Sequence, residues 1–276
     1  MRVGFLGLGF MGVSSTLPSH RLEPQPRQVC LLAGAAATVG ASPADVAARS
    51  EVIISMLYDT AAIRSTILAD AEFLRAIAGK MLVNTSSVPA AFSIELADAV
   101  SKSGGNFIEM PVSGSRVPAE RGELVGMLAR DRNVVERVQG VFEAFTSKAV
   151  YCGQVGSALR MKYAAKLWNI TMTAGLAEAV PLTRAQGLDT RAFAEVRNAG
   201  SMASPYSRVK VGKMLRMDWE GQALVRDCYN STQLITAAGK EAGVELPLIE
   251  VCAEPYRQAK EAGMGEEDMG ALAKLN

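Results

Sequence analysis

The sequence predicts an α/β protein in which an N-terminal, Rossmann-like doubly wound sheet is followed by an all-α C-terminal domain. A glycine-rich turn directly follows a short apolar strand at the start of the chain. Strand-like and helix-like segments then alternate, which is typical of a mostly parallel sheet covered by helices on both faces. After Gly156 the strand signals largely vanish. We therefore predict a sheet domain at residues 1–155 and a helical domain at residues 156–276, and 276 residues with 49% hydrophobic content can bury two cores.

The glycine turn has the spacing G-x-G-x-x-G. The first glycine permits a tight turn, the second lets a pyrophosphate approach backbone N–H groups, and the third allows close packing of the following helix. Glycine-rich turns also occur for purely structural reasons, but the position directly after a first strand favours dinucleotide binding. The candidate cofactor-binding residues are Gly7, Leu8, Gly9, Phe10, Met11 and Gly12.

Hydrophobic patterning supplies the remaining elements. Buried strands are predicted at residues 51–57, 80–84, 106–110, 124–128 and 149–152, with helices at 61–78, 89–103 and 134–145. Beyond these, helices are predicted at residues 158–187, 209–215, 223–242 and 249–262. The alternation in the first half predicts βαβ units, and its absence in the second half predicts helix-on-helix packing.

Composition excludes several classes of function. The net charge of +1 indicates neither nucleic acid nor an anionic membrane as partner, and no apolar run is long enough to span a bilayer. Four scattered cysteines fit neither a zinc site nor a disulfide framework. We therefore expect a cytoplasmic protein without a metal that acts on small molecules. His20 is the single histidine, so acid–base chemistry would fall to Lys, Asp, Glu, Tyr or Cys.

Four further blocks resemble the β-hydroxyacid dehydrogenase family of the 6-phosphogluconate dehydrogenase-like superfamily, which includes 3-hydroxyisobutyrate dehydrogenase and semialdehyde reductases. Residues 56–59 resemble the family's M-L-x-D motif, and residues 84–87 resemble its D-x-S-T motif. Residues 110–115 resemble its substrate-binding P-V-S-G block, which continues as P-A-x-x-G at residues 118–122. Residues 156–162 resemble G-x-G-x-x-x-K, whose lysine is catalytic.

The resemblance implies a role for each block. Lys162 would exchange a proton with the substrate oxygen. Hydroxyl and backbone N–H groups of the P-V-S-G block would hold the carboxylate of a small-molecule substrate. The cofactor would be NAD or NADP, and the protein would form a homodimer or homotetramer. The implied substrate-binding residues are Ser113, Gly114 and Ser115, and the implied cofactor-binding residues after the glycine turn include Met56, Leu57 and Ser87.

Simpler interpretations exist for both candidate sites. Ser and Gly are common in turns for conformational reasons alone. A lysine on a long helix usually extends along the surface and keeps its ammonium in water. For Lys162 the spacing argues against this alternative, because Lys162 lies six residues after Gly156 and sixteen before Glu178, and the family keeps both intervals.

Three positions depart from the family pattern. Ala158 replaces the second glycine before the lysine. Lys166 replaces an asparagine that orients the substrate, so we expect Lys166 to contact the substrate and to repel Lys162, one helical turn away. Asn230 stands, by spacing, where the family has a lysine that reaches over the cofactor, and we place it there. Arg226 matches that lysine by chemistry but not by spacing.

Residues 13–29 are the largest anomaly. A Rossmann unit needs a helix and then a second strand at this point, yet three prolines disfavour both, and apolar periodicity is absent. One set of codons for residues 21–30, read one base later, encodes Val-Trp-Asn-Arg-Ser-Pro-Asp-Lys-Cys, which resembles the family's second strand and N-R-x-P turn. A frameshift within residues 13–30 is therefore one hypothesis, and a diverged surface loop is the other.

The glycine turn predicts a dinucleotide cofactor, and the family resemblance implies an NAD(P)-dependent oxidoreductase that interconverts a small β-hydroxy acid and its semialdehyde. Hydride transfer to a carbonyl leaves negative charge on oxygen, and a nearby ammonium can stabilise that charge and supply the proton. Two alternatives stay open. One is an imine reductase-like enzyme, which shares the two-domain plan, and the other is a catalytically silent paralogue that only binds the cofactor.

Overall fold

A computed structural model describes residues 1–7, 19–22 and 38–275 of the chain. These residues form two compact units, Met1–Lys162 and Tyr163–Asn276. The division falls inside one long helix, a little later than the boundary predicted after residue 155. The first unit contains the sheet and the second is helical, so the predicted fold class is confirmed.

The sheet of the first unit is mixed, with a parallel part of six strands. The described strands are β1 (Val3–Leu6), β2 (Ser19–Leu22), β3 (Thr38–Val39), β4 (Val52–Ser55), β5 (Met81–Asn84), β6 (Asn106–Glu109), β7 (Val112–Ser113), β8 (Leu124–Ala129) and β9 (Thr146–Gly153). Their order is β3-β2-β1-β4-β5-β6-β8-β7, with β9 paired to β8. The first six strands are parallel in the order 3-2-1-4-5-6 of a doubly wound nucleotide-binding sheet. Strand β8 runs antiparallel to β6 and β7.

The central strands are apolar because both faces of the sheet are covered. Every residue of β1, β4 and β5 is buried, as expected for a parallel sheet packed on both sides. Their side chains join those of β6 and β8 in one core, which Phe142 and Phe145 complete in an edge-to-face contact. Because β1, β4 and β5 are parallel neighbours in this core, their carboxyl ends lie at the same edge of the sheet.

The helices of the first unit are shorter than the sequence predicts. They are α1 (Pro43–Arg49), α2 (Thr60–Ile63), a π-helical turn (Arg64–Leu68), α3 (Ala71–Ala76), α4 (Ala90–Lys102), α5 (Arg116–Glu120), α6 (Arg132–Glu136) and α7 (Gln139–Phe142). The continuous helix predicted at 61–78 is wrong, because Asp70 accepts from the backbone N–H groups of Glu72 and Phe73, both at 2.9 Å, and starts a new helix. The helix predicted at 134–145 is broken where Val138 leaves helical backbone angles and buries its side chain.

The expectation that residues 13–29 supply no second strand is wrong for Ser19–Leu22. This segment pairs in parallel with β1 and β3. It lies between Pro18 and Pro24, so neither proline has to donate to the hydrogen-bond ladder. The glycine turn after Gly7 and the rest of the segment lie outside the described residues, and the frameshift and surface-loop hypotheses both stay open.

The second unit consists of packed helices. The long helix α8 (Ser157–Ala185) leads into it, followed by α9 (Thr190–Ala199), α10 (Pro205–Arg216), α11 (Val225–Ala242), α12 (Pro247–Ala259), a π-helical turn (Lys260–Met264) and a 3₁₀ helix (Met269–Lys274). No helix was predicted at α9, which begins where Asp189 accepts from the backbone N–H of Arg191 at 2.8 Å. The C-terminal segment is tied to α10 by a buried ion pair, in which Lys210 Nζ lies 2.8 Å from both carboxylate oxygens of Asp268.

Candidate functional site

The predicted cofactor residues of the first unit follow three neighbouring parallel strands. Gly7 follows β1, Met56 and Leu57 follow β4, and Ser87 lies just beyond β5. Because the carboxyl ends of parallel strands meet at one edge, these residues share the edge where dinucleotides bind in open α/β sheets. The backbone N–H of Met56 donates to the carbonyl of Leu6 at 2.8 Å and extends the sheet contact past β4.

A network of short polar groups links the ends of β4 and β5. Asn84 Oδ1 accepts from Ser55 Oγ at 3.0 Å, and Ser86 Oγ accepts from the backbone N–H of Leu57 at 2.9 Å. Asn84 and Ser86 are buried, whereas Ser87 is half-buried. The network fixes the two strand ends and leaves Ser87 partly accessible.

Gly7 is required by the backbone. Its φ is +94°, and a Cβ at this position would lie 2.3 Å from the carbonyl oxygen of Met56. Only glycine avoids that clash, and the resulting side-chain-free backbone beside half-buried Met56 and Leu57 fits a dinucleotide. The other candidates of the turn, Leu8, Gly9, Phe10, Met11 and Gly12, lie outside the described residues.

The predicted substrate block begins on β7 and ends at the start of α5. Ser113 and Ser115 are half-buried, and Ser115 is the N-cap residue of α5, although its side chain makes no capping hydrogen bond. Gly114 has a φ of +131°, and a Cβ there would lie 2.6 Å from a methyl group of Leu124. Backbone geometry alone therefore explains the glycine, whereas it does not explain the two serines.

Lys162 lies on α8, in the second turn of the helix, and is half-buried. The start of this helix is bonded to a buried acid, Glu109, for which the sequence analysis assigned no role. Glu109 Oε2 accepts from the backbone N–H of Gly156 at 2.9 Å, and Oε1 accepts from that of Leu159 at 3.0 Å. Glu109 is 0% exposed. The carboxylate thus caps the N-terminus of the helix that carries the predicted catalytic lysine.

The replacement of the second family glycine by Ala158 is accommodated by packing. Ala158 is fully buried and forms a small cluster with Met127 and Ala129 of β8. A methyl group fits between the helix start and the strand because Ala129 is itself small. Ala158 therefore does not disturb the spacing between Gly156 and Lys162.

The remaining predicted residues lie in the second unit. Lys166 is half-buried on α8, and Asn230 is exposed on α11. Burial raises the pKa of the Cys228 thiol on α11, and the positive charge of Lys166 partly opposes that rise, so Lys166 acts electrostatically on the helix that carries Asn230. Arg226 forms ion pairs with Asp227 and Glu266.

Neither a metal site nor a membrane-spanning helix is found in the described part of the chain. Residues 1–7, 19–22 and 38–275 contain no group of three or more His, Cys, Asp or Glu side chains that could hold a metal ion. Within the same ranges, no helix combines the length and the apolar character needed to cross a membrane.

Comparison with known proteins identifies both parts of the chain. Residues 2–153 match the family model of the NAD binding domain of 6-phosphogluconate dehydrogenase. Residues 156–276 match the model described as NAD-binding of NADP-dependent 3-hydroxyisobutyrate dehydrogenase. The two models together support NAD or NADP as the cofactor, as predicted.

Individual relatives match along nearly the whole chain. Glyoxylate/succinic semialdehyde reductase 1 from Arabidopsis thaliana is 29% identical over 280 residues, which cover 99% of this chain and 97% of that protein. The human cytokine-like nuclear factor N-PAC is 28% identical over 98% of this chain but only 50% of its own length. The structure of 3-hydroxyisobutyrate dehydrogenase from Salmonella typhimurium shares the fold, with a TM-score of 0.90 at 22% identity over the whole of both chains. The chain belongs to the NAD(P)-dependent β-hydroxyacid dehydrogenase family.

Proposed function

We propose that this protein interconverts a small β-hydroxy acid and its semialdehyde with NAD or NADP. One observation carries the proposal: Lys162 lies at the family's spacing on α8, and the first turn of that helix is bonded to the end of β6. Strand β6 leads within four residues into Ser113 of the substrate block. The candidate acid–base group and the candidate carboxylate-binding block are thus connected through Glu109 within the first unit.

The candidate residues are proposed to bind the substrate, to exchange the proton or to bind the cofactor. The Ser113 hydroxyl and the backbone N–H groups of Gly114 and Ser115 hold the substrate carboxylate, and Lys166 adds a positive charge for it. Lys162 exchanges the proton. The residues assigned to the cofactor are Gly7, Leu8, Gly9, Phe10, Met11, Gly12, Met56, Leu57, Ser87 and Asn230. The nicotinamide cofactor, when bound, supplies or accepts the hydride.

Lys162 acts on the substrate oxygen in both directions. During reduction, negative charge develops on the carbonyl oxygen, and the ammonium group stabilises this charge and donates a proton to form the hydroxyl. During oxidation, the neutral amine accepts the hydroxyl proton as the carbonyl forms. No histidine is needed for either direction, which agrees with the presence of His20 alone in the sequence.

The relatives suggest which substrates to test first. The Arabidopsis reductase is named for glyoxylate and succinic semialdehyde, and both are short aldehydes with a carboxylate. Initial rates of NADPH and NADH oxidation should be measured with these two, with methylmalonate semialdehyde and with tartronate semialdehyde. Butanal, which resembles succinic semialdehyde without its carboxylate, is the matched control. Turnover of butanal at the same efficiency would contradict the assigned carboxylate site.

A catalytically silent cofactor-binding protein is the second candidate. The departures at Lys166 and Asn230 favour it, and so does the match to N-PAC, whose name is that of a nuclear factor. Binding of NADPH, followed by its fluorescence, without oxidation by any aldehyde in the panel would support this candidate. A cyclic imine in the same panel tests the imine reductase alternative, which the Ser113 block and Lys162 disfavour.

Three further expectations belong to this proposal. The domain boundary lies near residue 155, the protein works in the cytoplasm, and it assembles as a homodimer or homotetramer. Light scattering coupled to size-exclusion chromatography measures the assembly directly, and a monomeric mass would contradict it.

A further inference from the structure

We propose that Glu109 is a positioning residue for Lys162, whose carboxylate holds the first turn of α8 so that the lysine reaches the substrate oxygen. The inference rests on the proposed function of Lys162. It assigns a role to a buried acid that does not itself have to touch the substrate.

The contacts of Glu109 use both carboxylate oxygens. Oε2 accepts from Gly156 N at 2.9 Å and Oε1 accepts from Leu159 N at 3.0 Å. The first N–H groups of a helix have no partner within the helix, and a negative charge is stabilised at this end by the helix dipole. A fully buried carboxylate is costly unless it is hydrogen-bonded, so the two donors also stabilise Glu109. The carboxylate thus pairs N–H groups that the helix leaves without a partner, and these N–H groups offset the cost of burying the carboxylate.

The capping acid comes from a distant part of the chain. An ordinary N-cap residue is adjacent to the helix that it caps, whereas Glu109 lies 47 residues before Gly156. It is the last residue of β6 and pairs in register with Ala129, the strand residue against which Ala158 packs. The hydrogen bonds therefore fix the helix start to the sheet, and not only to its own preceding loop.

The geometry connects this anchor to the reaction. Leu159 precedes Lys162 by three residues, so the two lie one turn apart on the same side of α8. Loosening the first turn would move the point from which the lysine side chain extends. Proton transfer requires the donor within hydrogen-bond reach of the oxygen, and a displacement of about 1 Å can cost about 100-fold in rate.

The test compares two variants of Glu109 with a matched control. Glu109→Gln keeps the side-chain length but can accept only one of the two hydrogen bonds without opposing a donor. Glu109→Asp keeps the charge but shortens the reach. The control is Asp70→Ala, because Oδ1 of Asp70 accepts from two backbone N–H groups at the start of a helix, α3, that carries no assigned site residue, and alanine removes both hydrogen bonds.

A positioning role should appear in kcat, whereas a role in binding should appear in KM or Kd. We expect Glu109→Gln to lower kcat by about 10- to 100-fold for the semialdehyde that the wild type reduces best, while the KM for that aldehyde and the Kd for NADPH stay nearly unchanged. Glu109→Asp should recover part of the lost rate, and Asp70→Ala should leave kcat unchanged. Hydrogen–deuterium exchange should become faster at residues 156–162 in Glu109→Gln and not in the control.

The outcomes distinguish the two proposals. If the wild-type protein turns over and Glu109→Gln keeps the wild-type kcat despite faster exchange at residues 156–162, the positioning role is wrong and the function of Lys162 stands. A similar loss of rate in Asp70→Ala would show a general effect of lost capping and would also overturn the inference. If the wild-type protein oxidises NADPH with none of the substrates, the proposed function fails, and the positioning role of Glu109 fails with it. If Glu109→Gln does not fold, the kcat and exchange of Glu109→Asp decide in the same way.

Discussion

The start of α8 and the two positions of the second unit occupied by Lys166 and Asn230 differ in how closely they follow the family. At the start of α8, the spacing from Gly156 to Lys162 is kept, and the one substitution, Ala158, is absorbed by packing on β8. In the second unit, two residues expected near the substrate and cofactor have changed, although that unit keeps a well-bonded core. The candidate proton-transfer residue therefore follows the family pattern, whereas the candidate substrate and cofactor residues of the second unit do not. We therefore expect the same reaction type with altered substrate preference.

Replacing the lysine of the retained region should have the largest effect. Lys162→Ala removes the proposed proton donor, so kcat should fall by about 10²- to 10⁴-fold, with NADPH affinity nearly unchanged. Stopped-flow rates and a fluorescence titration measure the two quantities. Lys102→Ala, at an exposed position on α4, is the control. If Lys162→Ala keeps its activity, the acid–base role moves elsewhere, and Lys166 is the next candidate.

The buried ion pair between Lys210 and Asp268 should contribute strongly to the stability of the second unit. Asp268→Ala leaves the Lys210 ammonium buried without its carboxylate partner, and breaking such a pair costs about 3–5 kcal/mol. Arg257→Gln is the comparison, because Arg257 pairs with Glu254 and Glu261 near the surface, where an ion pair contributes about 0–1 kcal/mol. Urea denaturation gives both free energies of unfolding. Equal losses in the two variants would contradict the role given to Asp268.

Restoring the family residue at position 166 tests whether substrate contact has changed in the second unit. Lys166→Asn removes a positive charge, and a hydrogen bond to a charged group contributes about 1.5 kcal/mol or more, so KM for a carboxylate substrate should rise about tenfold. The KM for NADPH should not change. Lys240→Asn, an exposed position on α11, controls for the general loss of charge. An unchanged KM would remove Lys166 from the substrate site.

Thiol reactivity gives the smallest expected effect. Burial raises the pKa of both Cys228 and Cys152, but Cys228 is fully buried while Cys152 is half-buried. Thiolate is the reactive form, so Cys228 should stay protonated and unlabelled by iodoacetamide at about pH 8, below the ordinary thiol pKa of about 8.5. Cys152 should react slowly, and both should react after unfolding. Peptide mapping by mass spectrometry identifies each site, and rapid labelling of native Cys228 would contradict its burial.

The raised Cys228 pKa also predicts how stability depends on pH. Above the unfolded-state thiol pKa of about 8.5, the unfolded chain releases a proton that the native state still holds, so the free energy of unfolding should fall as pH rises further. Below that pH this contribution should be constant. Urea denaturation of the wild type and of Cys228→Ala at alkaline pH measures it, and an identical pH dependence in both would contradict the assignment.

The amount of structure predictable from sequence varied between elements. Residues 80–84 and 158–187 carry strong local patterns, and the observed β5 and α8 lie close to those bounds. The break before α3 was missed, because the capping role of Asp70 competes with an uninterrupted amphipathic pattern. Strand β2 was missed because its neighbouring prolines obscured a short segment that pairing with β1 stabilises.

Local patterns in the chain indicated the family, the plan of a sheet domain followed by helices, and the candidate lysine, because motif spacing and hydrophobic periodicity act over a few residues. They also located Ser113 and Gly114, but not the reason for the glycine, which is the close approach of Leu124. The role proposed for Glu109 required the folded arrangement. Its hydrogen bonds join positions 47 and 50 residues apart, and only the packing of β6 and β8 beside the start of α8 brings such groups within bonding distance.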